Sequence, residues 1–139
     1  LPGRVISIHA IRSASRALDI LERTGAARSA TCILHWFSGT SDELWRAVRL
    51  GCLFSINEHM LATKRGREYA RILPGDRLLL ETDAPPQRGN PYRLDAIERS
   101  LASTLEQLAQ IRRVNAATLG AQIADRSTRL LDFANAGCA

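Results

Sequence analysis

Short apolar runs alternate along the chain with segments in which apolar residues recur at helical spacing. The runs lie at residues 5–9, 31–35, 52–56 and 77–82. The three leucines at 78–80 are typical of a strand that is buried on both faces. Residues 16–24 and 42–50 between the runs carry apolar side chains three and four positions apart. This alternation predicts βα units that fold right-handed onto one parallel sheet, which is an α/β fold.

Helix-end signals support these boundaries. Thr40 and Glu43 form a possible capping box, and Gly25 and Gly51 stand where helices are expected to stop. Two longer helices are predicted towards the C-terminus. The first begins at the Asn-Pro pair 90–91 and carries one apolar stripe. Its stripe consists of Leu94, Ile97, Leu101, Leu105 and Leu108. The second helix covers residues 116–133, and we expect it to lie as a cap across a barrel of such strands.

Polar side chains stand at the carboxyl ends of three predicted strands. His9 ends the first strand, His35 ends the second, and Glu81 and Asp83 follow the leucine run. The carboxyl ends of parallel barrel strands meet at one edge, which is where such barrels carry out catalysis. Glu81 and Asp83 are two residues apart, so an extended chain would point both to one face. Imidazole and carboxylate are ligands of divalent metals, and the pattern predicts a metal site of His9, His35 and Asp83.

Purely structural roles for the same residues also remain open. Glu81 and Asp83 fit a solvated acidic turn, and each histidine fits a structural role. His59 lies too far beyond the third strand to share the geometry of His9 and His35, so we expect that it is not a ligand, although a substrate contact is open.

Two motifs resemble a known family. Residues 35–39 read His-Trp-Phe-Ser-Gly, which is similar to the His-Cys-Phe-Ser-Gly signature of TatD-type metal-dependent nucleases. Residues 80–85 read Leu-Glu-Thr-Asp-Ala-Pro, as that family's motif does. Trp36 in place of cysteine, together with residues 57–66, resembles most closely the TatD-like branch found in Qat anti-phage systems. Membership of that branch would imply a role in antiviral defence and protein partners.

The resemblance implies a (β/α)8 TIM barrel of about 250 residues. The 139 residues match only strands five to eight, so we expect a single domain, residues 1–139, that is a partial barrel lacking the amino-terminal half. The family's first-strand His-x-His and its metal-bridging glutamate have no counterpart here. The chain is then either a fragment or one whose first half is disordered, unassigned or supplied by another chain.

The resemblance also implies a function, which is hydrolysis of DNA, single-stranded more than double-stranded. Divalent ions (Zn, Mg or Mn), two in the complete enzyme, would activate water, Asp83 would act as general base, and Glu81 would orient a ligand or the substrate. Two alternatives remain. One is another hydrolase of the superfamily, such as a deaminase or lactonase, and the other is a non-catalytic half-barrel that binds a partner.

Charge agrees with a nucleic-acid substrate. The net charge is +5, and 18 of the 19 basic residues are arginine, which suits bidentate phosphate recognition but also follows from a GC-rich genome. The candidate phosphate contacts are Lys64, Arg65, Arg67, Arg12 and Arg88. The departure of residues 10–12 from the family pattern weakens the case for Arg12.

Hydropathy and cysteine usage indicate the compartment. No apolar run approaches the roughly 20 residues that span a bilayer. The three cysteines are odd in number and widely spaced, which is typical of reduced thiols. We therefore expect a cytoplasmic protein with no membrane partner.

Overall fold

The computed structural model describes residues 4–84 and 93–136 of the chain. Its strands are β1 (Arg4–His9), β2 (Ala30–His35), β3 (Leu53–Ile56) and β4 (Leu78–Leu80). All three pairings are parallel, and the order across the sheet is β1-β2-β3-β4. The predicted parallel α/β fold is therefore confirmed, and its place within a larger barrel stays a prediction. The register pairs His9 with His35 and His35 with Ser55, so polar strand ends lie side by side.

Helices connect successive strands. They are α1 (Ala14–Thr24), α2 (Ala26–Ser29), α3 (Ser41–Arg49), α4 (Glu58–Leu61), α5 (Lys64–Ile72), α6 (Leu94–Arg112) and α7 (Ala116–Ala136), with a 3-10 turn at Gly75–Arg77. The capping box is confirmed, since the Thr40 hydroxyl accepts from the Glu43 amide and the Glu43 carboxylate accepts from the Thr40 amide. Gly25 (φ 67°) ends α1, and Gly51 (φ 83°) follows α3. The predicted Asn-Pro start of α6 lies outside the described residues.

The apolar core lies between the sheet and its helices. Leu34 of β2, Phe54 of β3 and Leu78 of β4 are at most 1% exposed. Helices α1 and α3 add Leu18 and Leu44, both 0% exposed, because their apolar residues recur at helical spacing. This layer holds the strand ends in a fixed relation to one another.

An outer strand and an inner strand of the sheet, β1 and β3, differ in how they are covered. β1 is exposed over most of its length, whereas all four residues of β3 are buried. Helix α7 contacts both β1 and β4, and Arg126 Nη1 donates to the Leu78 carbonyl at 2.6 Å. That α7 caps a complete barrel stays a prediction. The apolar stripe of α6 is buried at Leu108 but not at Leu94, which is 68% exposed because it begins the helix.

No described helix is both long enough and apolar enough to span a membrane. Cys32 and Cys52 are buried free thiols. Burial raises the pKa of both, that of Cys52 to about 11. Cys138 lies outside the described residues.

Candidate metal centre

His35 is the point at which the predicted metal ligands meet. The rings of His9 and His35 have centroids 4.5 Å apart, and His9 Nδ1 faces His35 Nε2 directly. Asp83 Oδ1 approaches the same Nε2 atom to 3.9 Å. His9 and His35 end β1 and β2, and Asp83 lies three residues beyond β4, at the edge where these parallel strands end.

Glu81 occupies the other side of the His35 ring. Its Oε2 lies 2.8 Å from His35 Nδ1 and accepts from Ser55 Oγ at 2.7 Å, while its Oε1 accepts from Asn57 Nδ2 at 2.9 Å. An ionised carboxylate only accepts, so His35 Nδ1 carries the proton and the Nε2 lone pair faces His9 and Asp83. A histidine that ligates a metal commonly has its second nitrogen held by a carboxylate in this way.

The predicted end of the fourth strand, beside these two carboxylates, needs one correction. β4 ends at Leu80, two residues earlier than predicted, although the Glu81 amide still bonds the Ile56 carbonyl at 3.0 Å. Asp83 then adopts a left-handed conformation (φ 55°), so strand alternation stops before it. Glu81 and Asp83 therefore reach opposite nitrogens of one imidazole, and they do so through a turn and not along one extended face.

Sequence reasoning missed two residues of this network. Ser55 (6% exposed) and Asn57 (0% exposed) are buried and hold Glu81 from the end of β3. Asn57 also accepts from the Met60 amide at 2.8 Å and so caps α4. One signal was present, since Asn57 follows an apolar strand directly, much as His9 and His35 end theirs.

The side chains gathered here are of types that bind divalent metals, but there are too few of them to complete a site. No three His, Cys, Asp or Glu side chains among the described residues are grouped so that they could hold an ion. Two nitrogens at about 2.1 Å from a tetrahedral ion stand about 3.4 Å apart, so the facing nitrogens of His9 and His35 would have to move apart to hold one. Two imidazoles and one carboxylate oxygen are nevertheless ligands that suit zinc or manganese.

The basic candidates divide into two sets. Lys64, Arg65 and Arg67 are exposed on the first turn of α5, whose start is capped by Thr63, and not in a loop. Arg65 lines an open groove of about 550 Å³ that Arg12 also lines. Lys64 and Arg67 do not line it, because they lie three residues apart on a different face of the helix. Arg88 is outside the described residues.

His59 contacts Trp36, the residue that follows His35 in the chain. Its ring stacks on Trp36, with centroids 5.1 Å apart and planes inclined by 25°. The expectation that it is not a metal ligand stays a prediction.

A protein-family model described as TatD related DNase matches residues 2–132. The chain belongs to this family. It is 29% identical over 143 residues to the 3'-5' ssDNA/RNA exonuclease TatD of Musicola paradisiaca, covering 97% of this chain and 54% of the relative. It is 33% identical over 128 residues to a protein of Mycobacterium tuberculosis named as an uncharacterized metal-dependent hydrolase TatD, covering 82% and 48% respectively.

A solved TatD structure agrees with this membership. The TatD homologue YJJV from Escherichia coli superposes with a TM-score of 0.72 at 25% sequence identity, over 91% of this chain and 49% of that one. The chain thus spans about half the length of the TatD relatives it matches.

Proposed function

We propose that this chain carries part of the active site of a metal-dependent phosphodiester hydrolase that cuts nucleic acid, with single-stranded DNA as its main substrate. The observation that carries the proposal is the position of His35. Its Nε2 faces His9 Nδ1 and Asp83 Oδ1, and its Nδ1 bonds Glu81. TatD relatives named as nucleases and as a metal-dependent hydrolase support the same chemistry.

His9, His35 and Asp83 would hold a divalent ion, which is zinc, magnesium or manganese, and the complete enzyme would hold two. Such an ion, when bound, acidifies water and offsets negative charge on phosphate oxygens. Glu81 keeps the proton of His35 on Nδ1, with Ser55 and Asn57 fixing the carboxylate. This arrangement leaves the Nε2 lone pair of His35 available to bind the metal ion.

Asp83 would accept the proton from the water that attacks phosphorus. Its side chain is 39% exposed, so solvent and substrate can reach it, whereas the Glu81 side chain is 17% exposed. As the water oxygen bonds to phosphorus, the phosphorus–oxygen bond to the leaving nucleoside breaks, and the leaving oxygen takes up a proton from solvent. Asp83 is thus the catalytic carboxylate, and Glu81 positions His35.

The basic groups beside this edge would bind the phosphodiester backbone. The first turn of α5 contains Lys64 and Arg65 and no acidic residue. Cations there oppose the helix dipole and cost helix stability, but they add to the attraction that a helix N-terminus has for anions. Arg12 and Arg65 line one groove, and Arg67 extends the positive surface along α5.

The proposal includes an origin for the missing ligands. This chain would correspond to the carboxy-terminal half of a TatD barrel, and a segment outside it would complete the metal site. The match to about half of each relative and the exposed β1 strand support this. Calorimetric titration of the 139-residue chain should then give weak zinc binding, and tight stoichiometric binding would contradict the proposal.

A finer assignment is to the TatD-like branch in Qat anti-phage systems, with a cytoplasmic location and protein partners in defence. Trp36 and residues 57–66 support it. Phage plating on cells that express the system with parent protein or Asp83→Asn tests it, since only the parent should protect.

The nuclease proposal is tested with the complete protein. Parent protein should cut a single-stranded oligonucleotide only when a divalent ion is added. Lys64→Ala, Arg65→Ala and Arg67→Ala combined should weaken DNA binding without sequence preference and reduce the salt slope by about two units, at about 0.7 per phosphate contact. The exposed Arg71→Ala, whose parent residue pairs with Glu68, is the matched control.

Two outcomes favour the alternatives. Turnover of an uncharged ester or amide, with DNA binding unchanged in the triple variant, would indicate a deaminase or lactonase. The incomplete ligand set favours a non-catalytic half-barrel, and absence of ion-dependent turnover in the complete protein would establish that reading.

A further inference from the structure

An aromatic pair lies directly beside the candidate metal centre. Trp36 follows His35 at the end of β2 in a left-handed conformation (φ 44°), and its ring stacks on His59 from α4. Trp36 is half-buried against the core, whereas His59 is exposed. One face of the His59 ring is covered by Trp36, so its other face is directed towards solvent.

Trp36 links this pair to the basic groove, although His59 itself lines neither of the two cavities there. A cavity of about 140 Å³ is lined by Trp36, Ser38 and Arg65, and Arg65 and Ser38 also line the 550 Å³ groove. Three arginines, Arg12, Arg16 and Arg65, line that groove against one carboxylate, Glu43. The Glu43 carboxylate already accepts a hydrogen bond from the Thr40 amide at 2.7 Å. None of the three arginines is paired with a carboxylate among the described residues.

A positive groove next to an exposed aromatic face suits one class of ligand. Single-stranded nucleic acid presents regularly spaced phosphates together with unstacked bases, and proteins bind it by charge along the backbone and by stacking of bases on aromatic rings. A duplex hides the base faces, and a free phosphate has none. The family signature that residues 35–39 resemble has cysteine at position 36, where this chain has the aromatic ring of Trp36.

We propose that Trp36 and His59 form a stacking platform for one nucleobase of a single strand whose backbone lies along Arg12, Arg16 and Arg65. The base stacks on the exposed face of His59, and Trp36 supports that ring from beneath. This inference rests on the proposed nuclease function and adds to it a base contact next to the cleavage edge. It predicts preference for single strands with no preference for sequence, since every base has a π-face.

The test separates binding through the bases from binding through the phosphate backbone. Binding of the complete protein is measured in a chelator, so that nothing is cleaved, with oligodeoxythymidine and with an abasic oligonucleotide of equal length. The parent should bind oligodeoxythymidine more tightly. His59→Ala should weaken that binding about tenfold and leave the abasic polymer unchanged. His59→Phe keeps a flat ring and should restore binding, while Arg65→Ala should weaken binding of both polymers.

Fluorescence gives a second readout that does not depend on the fold of a site variant. These 139 residues contain two tryptophans, so Trp45→Phe on α3, combined with replacement of any tryptophan elsewhere in the complete protein, makes Trp36 the reporter. Its emission should change on addition of oligodeoxythymidine and stay constant with the abasic polymer.

The outcomes separate this inference from the proposal beneath it. Equal effects of His59→Ala on both polymers, or none on either, would overturn the platform. The nuclease function would survive that result if the parent still cut oligodeoxythymidine on addition of a divalent ion. A parent that neither bound nor cut either polymer would overturn both.

Discussion

The carboxyl edge of the sheet and the apolar layer beneath it belong to the same strands but differ in polarity, exposure and backbone conformation. In the layer, Leu34, Phe54 and Leu78 are at most 1% exposed, and their backbones are regular. At the edge, polar and charged side chains converge, and the described residues with left-handed backbone include Trp36 and Asp83.

The difference shows how one sheet supports both regions. Four described non-glycine residues have positive φ, and three of them, Arg12, Trp36 and Asp83, lie on the segments that leave β1, β2 and β4. A left-handed conformation of such a residue costs about 1–3 kcal/mol and persists only where the surroundings enforce it. The packed layer supplies that enforcement, so changes at the edge should affect chemistry, and changes in the layer should affect stability.

The largest effect expected at the edge is on the rate of cleavage. Asp83→Asn removes the proton acceptor and should lower the cleavage rate of the complete protein by about 10²–10⁴-fold, while the melting temperature stays within error. Asp76→Asn is the matched control, because Asp76 is an exposed carboxylate before β4 and not after it. Wild-type cleavage of single-stranded DNA by Asp83→Asn would exclude the assigned role.

The apolar layer should respond in the opposite way. Phe54 is 0% exposed in β3 and meets Phe37 edge to face, with centroids 5.7 Å apart. Phe54→Ala should lower the free energy of unfolding by about 3–5 kcal/mol, measured by urea denaturation. Ile20→Ala, at a residue 45% exposed on α1, should change it by no more than about 0.5 kcal/mol. Similar losses for the two variants would mean that the layer is not the stabilising region.

Glu81 joins the two regions, so an intermediate effect is expected there. Glu81→Gln replaces the charged acceptor of His35 Nδ1 by a neutral amide and should weaken metal binding of the complete protein about 10–100-fold. Calorimetric titration with zinc measures the change, and the exposed Glu106→Gln on α6 is the control. Unchanged affinity in Glu81→Gln would show that Glu81 does not position a ligand.

The smallest expected effect is on how the stability of the apolar layer depends on pH. Burial first, and then the neighbouring Cys32, raise the pKa of Cys52 from 9.0 to about 11. The folded state therefore keeps the thiol proton longer than the unfolded chain does. This contribution to stability is present in full below pH 9 and is lost as the pH rises towards 11.

Urea midpoints at pH 8 and pH 10.5 test this difference. The decrease between them should be smaller in Cys52→Ala than in the parent. The same decrease in both proteins would contradict the assignment of that pH dependence to Cys52.

Much of the architecture was predictable from local patterns. The leucine run, the β-branched runs and the Thr40 capping box predicted strands and helices close to those observed, because side-chain period and capping act between neighbours in the chain. The side-by-side placement of His9 and His35 was also predictable, since parallel strands end at one edge, whereas a metal site of His9, His35 and Asp83 stays a prediction. The turn that carries Asp83 was not predictable, because its left-handed backbone has no glycine to signal it.

What the sequence determined is thus the set of strands, their parallel arrangement and the residues at their ends. The tertiary structure decided which of those residues touch. Glu81 bonds His35, Ser55 and Asn57 across 46, 26 and 24 positions of chain, and Arg46 of α3 pairs with Asp19 and Glu22 of α1. No periodicity encodes such pairs, because they depend on how the strands and helices pack against one another and not on the spacing within any one of them.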